Sequence, residues 1–247
     1  MAADFWPWQM LQREAAYPVS RLAPLGGHFA DYMCGTGSLL EEIRRCRPDL
    51  HLVVCDISAP FVDFARSKRP AIPFVCQDAL LFAPQAPLDI AICTGGIHHL
   101  REPQQVRLME GVSKQIREGG VFIIGEEVLG AFVSDDERLH AVSTLHDEIR
   151  SYFARIATPR CVLEAAESVF YGDLHRIGEY KDTKEGLLSL VGVNFEVEET
   201  IHVWPTGQPH HGDIILVCRN AKRGPLRVEP RRISVVEGRA PASLARA

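Results

Sequence analysis

The chain has 247 residues, 46% of them apolar, and its 27 Lys and Arg against 32 Asp and Glu leave a formal charge of −5. That size suits one sizeable core, and that charge offers no general attraction for nucleic acid or an anionic membrane surface. No apolar stretch approaches the roughly 20 residues of a membrane span, and MAADFWPWQM lacks the basic-then-apolar pattern of a signal peptide. The seven cysteines never form a C-x-x-C pair, so a cytoplasmic protein with reduced thiols and no metal is expected.

Residues 1–27 place Phe5, Trp6, Trp8 and Tyr17 ahead of the first strand, and such an aromatic helical segment folds over a ligand as a lid or packs on the sheet edge. Residues 28–33 are an apolar run ending in Asp31, followed by the small-residue turn Cys34-Gly35-Thr36-Gly37 and an amphipathic helix over 36–47. A strand that ends in a Gly-rich turn at a helix N-terminus lets a ligand approach the backbone closely. Further strands are expected at 51–56, 72–76, 88–93 and 120–126, with helices at 58–69 and 103–118. Asp56 ends the second run, Asp78 follows the third, and Asp89 opens the fourth. Strands alternating with helices predict a parallel sheet covered on both faces, with a ligand at its C-terminal edge.

Beyond Gly130 the pattern changes. A long helix over 135–157 starts at Ser134 with Asp135, Asp136 and Glu137 in its first turn. Residues 160–182 carry no clear period, and Thr183 caps a short helix over 183–191. Runs at 194–204 and 212–218, joined by a short Pro- and Gly-containing link, form antiparallel neighbours. The last stretch, 220–247, has seven Lys or Arg against two Glu and no apolar period, as expected of a solvated tail. The expected units are a helical lid over 1–27, a ligand-binding core over 28–130, a helical cap over 131–193, the sheet's hairpin over 194–219 and the tail over 220–247.

These motifs together resemble the class I S-adenosylmethionine (SAM) dependent methyltransferases over residues 28–126, with a compatible hairpin at 194–218. The acidic-x-Gly-x-Gly-x-Gly motif appears as Asp31-Tyr-Met-Cys-Gly35-Thr-Gly37, the acid of strand two as Asp56-Ile57, and the adenine-facing pair as Asp78-Ala79. Strand four matches Asp89-Ile-Ala-Ile-Cys-Thr94-Gly95-Gly96 with Ile97-His98-His99-Leu100 after it, and Gly119-Gly120 precedes strand five. The resemblance implies a Rossmann-like α/β fold: a seven-stranded, mostly parallel sheet with an antiparallel C-terminal hairpin and helices on both faces. It implies SAM as cofactor, held by Tyr17, Asp31, Cys34, Gly35, Thr36, Gly37, Asp56, Ile57, Asp78, Ala79, Thr94 and Gly95. The chemistry is apt, because a carboxylate such as Asp56 accepts two hydrogen bonds from vicinal ribose hydroxyls. One residue departs from the pattern: Met33 stands where the turn's first glycine usually sits, so its side chain would crowd the methionine end of the ligand or shift the turn. A Rossmann dehydrogenase fits less well, since the third glycine of G-x-G-x-x-G would fall at Leu40.

On the acceptor side, His99, Glu126, Tyr171 and Tyr180 are the candidate catalytic residues, and 170–182 reads as an insertion covering the acceptor. The expected activity is O- or N-methylation of a small molecule by in-line displacement, of the kind found in specialised metabolism. Two alternatives stay open: an enzyme that cyclises or cleaves SAM itself with release of methylthioadenosine, and a non-catalytic SAM-binding module. The expected partner is a small-molecule acceptor, without nucleic acid or membrane, and a homodimer would follow if the aromatic N-terminus covered a neighbour's site.

Overall fold

The computed structural model describes residues 6–156 and 158–221. The expected basic tail therefore lies outside the described residues from 222 onward, as does Phe5. Seven strands form one sheet: β1 (His28–Tyr32), β2 (His51–Asp56), β3 (Phe74–Cys76), β4 (Leu88–Thr94), β5 (Ile116–Val128), β6 (Glu196–Trp204) and β7 (Gly212–Arg219). Their order is β3-β2-β1-β4-β5-β7-β6. The first five are parallel, and β7 lies antiparallel between β5 and β6. This is the expected mostly parallel sheet with its C-terminal hairpin. The chain reverses its direction of winding between β1 and β4, the position at which open α/β sheets leave a crevice for ligands.

Period-two alternation divides the core into two layers. Phe29, Ile90, Ile92, Ile123 and Ile215 face α1 (Trp6–Leu22), α2 (Ser38–Cys46) and α3 (Ala59–Lys68). Ala30, Ala91, Cys93, Phe122 and Leu216 face α4 (Glu102–Gln115) and, beyond the cap described below, the short helix Lys184–Gly192. Every residue of β4 is buried, which is why its sequence is a continuous apolar run. The fifth strand starts earlier than the expected 120: helix α4 stops at Gln115, and Ile116 already pairs with Leu88 before a register shift. All seven cysteines are unpaired, and no described helix is long and apolar enough to cross a membrane.

The cap consists of α5 (Asp135–Arg155) and α6 (Arg160–His175), and α7 (Lys184–Gly192) follows it. Ser134 caps α5 by accepting from Glu137 N, and Thr183 caps α7 by accepting from Gly186 N. Leu129, Val142, Leu145, Phe153, Val162 and Trp204 form a small apolar cluster that ties the cap to the hairpin. The segment between α6 and α7 returns to the sheet edge, where Tyr180 N donates to the His98 carbonyl at 2.7 Å and Leu129 N donates to Asp182 O at 2.9 Å.

Helix α1 is more than a lid. Leu11, Ala15 and Val19 are fully buried in the main core, so only the first turns of the helix reach the ligand edge. Truncating Leu11 to Ala removes buried methyl groups from that layer. The expected cost is about 2–5 kcal/mol in urea unfolding; a change below about 1 kcal/mol would mean that α1 is a detachable arm.

Candidate functional site

The Gly-rich turn is held by a carboxylate on the neighbouring strand. Asp56 Oδ2 accepts from Gly35 N at 2.8 Å, and Oδ1 accepts from Ser58 N at 2.8 Å. Gly35 has φ 54°, a left-handed conformation that costs glycine nothing. Met33 has φ 61°, so it adopts the left-handed backbone of the glycine it replaces, at a strain on the order of 1 kcal/mol or more. The side chain packs on Gly96, where an added Cβ would stand 3.0 Å from Met33 Cβ and 3.1 Å from its Sδ. Met33 and Gly96 are thus complementary, which pairwise spacing along the chain does not reveal.

Asp31 ends β1 almost fully buried, and its Oδ1 has no hydrogen-bond partner among the described residues. Burial and the charge of Asp56 push its carboxyl well above the usual carboxylate range. A buried acceptor left unpaired is costly, and the ammonium of a methionine moiety is the donor that would satisfy and ionise it. At the third strand, Asp78 Oδ1 accepts from Leu80 N at 2.9 Å, turning the chain beside buried Ala79. Ile57 and Leu81 are 68% and 65% exposed there, an apolar pair at the end expected to take the adenine. Cys34, Thr36, Gly37, Thr94 and Gly95 complete the edge. The residues present therefore fit SAM: Asp31 for the ammonium, Asp56 for the ribose, Asp78 with Ala79 for the base.

Tyr17 is not brought to this edge. It lies on the outer side of α1, 61% exposed with Arg21 over its ring, about 180° round the helix from Trp8. Trp8 and Gln12 take the position expected of Tyr17. The Trp8 indole lies on Gly95 so closely that an added Cβ would be 1.9 Å from it, and Gln12 Nε2 donates to Ser38 Oγ at 2.8 Å. The helical period, with Leu11, Ala15 and Val19 defining the buried side, was the signal that selects Trp8 over Tyr17.

The acceptor side also needs correction. Glu126 was expected to face the acceptor, yet its carboxylate is turned inward and filled. Oε1 accepts from Gly96 N at 2.9 Å and Ile97 N at 2.7 Å, and Oε2 meets His98 Nδ1 at 2.5 Å. Burial alone would raise Glu126, but the charge of His98 and these hydrogen bonds hold it below the ordinary glutamate value. Glu126 positions the strand-four loop. Burial would lower His98, whereas Glu126 holds its ring above the ordinary histidine value. His99 is half exposed, with Nδ1 on the Gly178 carbonyl at 2.9 Å. Desolvation and the charge of His98 lower it below the ordinary histidine value.

Tyr180 does reach this end of the sheet. It lines a cavity of about 20 Å³, room for one water, with Ile97, His98, Glu126 and Glu127. Its hydroxyl accepts from Arg101 Nε at 3.1 Å. Tyr171 does not: it is 58% exposed on α6, with its ring against His175. The sequence reading passed over Lys181. This buried ammonium lies 2.8 Å from Asp173, 3.0 Å from Glu179 and 3.4 Å from Glu127. Burial would lower it, but the three carboxylates hold it above the ordinary lysine value. Lys181 joins α6, the return segment and β5.

Two substitutions test this geometry. Asp56→Ala removes the acceptor for Gly35 N and for the ribose, and SAM should bind about 10- to 100-fold more weakly by calorimetry, from about 1.5–3 kcal/mol for hydrogen bonds to a charged group. Lys181→Met strands three carboxylates and should lower unfolding free energy by about 3–5 kcal/mol. An unchanged denaturation midpoint would show that the cap is held by its apolar cluster alone.

Residues 29–120 match the family model described as a methyltransferase domain. The chain is 26% identical over 153 residues to the carboxy-S-adenosyl-L-methionine synthase of Campylobacter lari, a match covering 59% of this chain and 64% of that one. It is 31% identical over 100 residues to a probable tRNA methyltransferase 9B of Bos taurus, covering 40% of this chain and 21% of that protein. The chain thus spans less than two thirds of the length of the curated relatives it matches. Its fold is shared with the mitomycin 7-O-methyltransferase MmcR (TM-score 0.60, 15% identity, 86% of this chain and 53% of that one). It is shared too with the N-methyltransferase NodS of Bradyrhizobium japonicum, solved with S-adenosylhomocysteine (TM-score 0.57, 14% identity, 86% and 88%). The three acids at corresponding strand ends and the Gly-rich turn held by one of them all lie within residues 29–120, the stretch that matches the methyltransferase domain model.

Proposed function

We propose that this chain transfers the methyl group of SAM to oxygen or nitrogen of a small-molecule acceptor. One observation carries the reading: the return segment after α6 lays Glu179 and Tyr180 against His98 and His99, at the end of β4 beside Gly95. SAM, when bound, supplies an activated methyl group, so the protein has chiefly to orient the acceptor and exclude water. Asp31, Asp56 and Asp78 hold the two ends of the cofactor, while Trp8 closes over Gly95. Glu126 fixes the loop that carries the histidines. A proton released by the acceptor leaves toward the His99 and Glu179 side. The cap and the chain's net charge of −5 favour a small acceptor over nucleic acid. Among proteins of like fold, one is named for O-methylation and one for N-methylation.

A second reading has its own support. Two curated relatives, 26% identical over 153 and 115 residues, are named carboxy-S-adenosyl-L-methionine synthase, an activity in which SAM itself is altered. Mass spectrometry of purified protein with SAM separates the two. S-adenosylhomocysteine formed only when cell extract is added, together with a methylated compound, supports methyl transfer. A new SAM-derived product or methylthioadenosine supports chemistry on SAM. Intact SAM under every condition sinks both. Under the leading reading, His99→Ala lowers kcat on the order of 100-fold while SAM affinity stays unchanged.

A further inference from the structure

We infer that His98, His99 and Glu179 form a binding site for one divalent transition-metal ion, placed to hold an oxygen of the acceptor. One nitrogen from each ring and one oxygen of Glu179 all lie within 4.8 Å of one another. His98 Nε2 is 3.4 Å from Glu179 Oε2, and His99 Nδ1 is 3.5 Å from Oε1. Metal bonds of about 2.0–2.2 Å in tetrahedral geometry set ligand atoms about 3.4 Å apart. Two edges of such a site are therefore already in place. The third closes by rotation of His99, whose side chain is 46% exposed.

The surroundings are those of a metal site as well. A histidine ligand usually gives its second nitrogen to a carboxylate that fixes its tautomer and direction. His98 does so: Nδ1 is bound to Glu126, which is itself fixed by two backbone amides, and Nε2 is left aimed at Glu179. Glu127, Asp173 and Glu179 gather around the Lys181 ammonium and Glu126 faces His98, so an added cation meets a negative excess. Glu179 faces the ion with both oxygens, Oε2 toward His98 and Oε1 toward His99, and Lys181 shares Oε2. His99 exchanges its bond to the Gly178 carbonyl for coordination. Two imidazoles and one carboxylate favour zinc, cobalt or ferrous iron over magnesium or calcium. Three protein ligands leave a position open, and the neighbouring cavity has room for one water. An acceptor hydroxyl bound there would have its pKa lowered and its proton released to solvent. That role rests on the methyl-transfer reading, whereas binding of the ion does not.

The test uses the full chain, stripped with chelator and titrated with Co²⁺ and Zn²⁺. One ion per chain by elemental analysis, with visible cobalt bands of a four- or five-coordinate site, is expected. His99→Ala and Glu179→Gln should abolish the bands, and Glu126→Gln should weaken affinity about 10- to 100-fold. Circular dichroism melting of the half-exposed His99 variant guards against loss of fold as the cause. No cobalt bands, or binding that ignores all three substitutions, overturns the site. SAM affinity measured on stripped and loaded protein keeps the two readings apart: an ion without SAM binding leaves the site and removes the methyltransferase reading. Equal turnover of stripped and loaded protein keeps the site and removes its role toward the acceptor.

Discussion

Two-sided burial of the parallel strands is the constraint on which the rest of this molecule depends. Helices cover both faces of β1, β4 and β5, so an uncompensated charge along their length would be desolvated without a partner. Polar chemistry is thereby confined to strand ends. Asp31, Asp56, Glu126 and Glu127 all stand at C-terminal ends, and β4 is buried from Leu88 to Thr94. The winding reversal between β1 and β4 then opens a crevice at that same edge. Fold and site are two consequences of one packing arrangement.

Backbone amides organise the edge as much as side chains do. Asp56 is spent on the amides of Gly35 and Ser58, and Glu126 on those of Gly96 and Ile97. Each carboxylate shapes a loop first and meets a ligand, if at all, through its remaining lone pairs. Met33 shows how tightly the turn is determined. A non-glycine residue accepts a left-handed backbone because the Asp56 contact and the Gly96 gap over-determine the conformation.

The cap is joined to the core by opposite means at its two ends. Trp204, Phe153 and Leu129 supply an apolar seam, while Lys181 supplies a buried ionic one. Buried ion pairs seldom add net stability over an apolar alternative, though they penalise misplacement of any partner. Here the penalty fixes the return segment, and with it the position of Glu179 and Tyr180 relative to His98 and His99.

Much of this was legible in the residues alone. Acids ending successive apolar runs, the Cys34–Gly37 turn and the switch from strand–helix alternation to a hairpin point to the mostly parallel sheet, its antiparallel hairpin and the cofactor edge. They do so because those signals are local: side-chain period, turn chemistry and end position all lie within a few residues. What only the tertiary structure decided is non-local. Glu126 turns inward, Tyr17 faces out while Trp8 faces in, and Glu179 meets histidines some eighty residues earlier in the chain. Which face a side chain takes at a strand end or on a helix is set by what packs against it. Partners from distant segments leave no spacing to read, because packing and charge bring them together only after the sheet has formed.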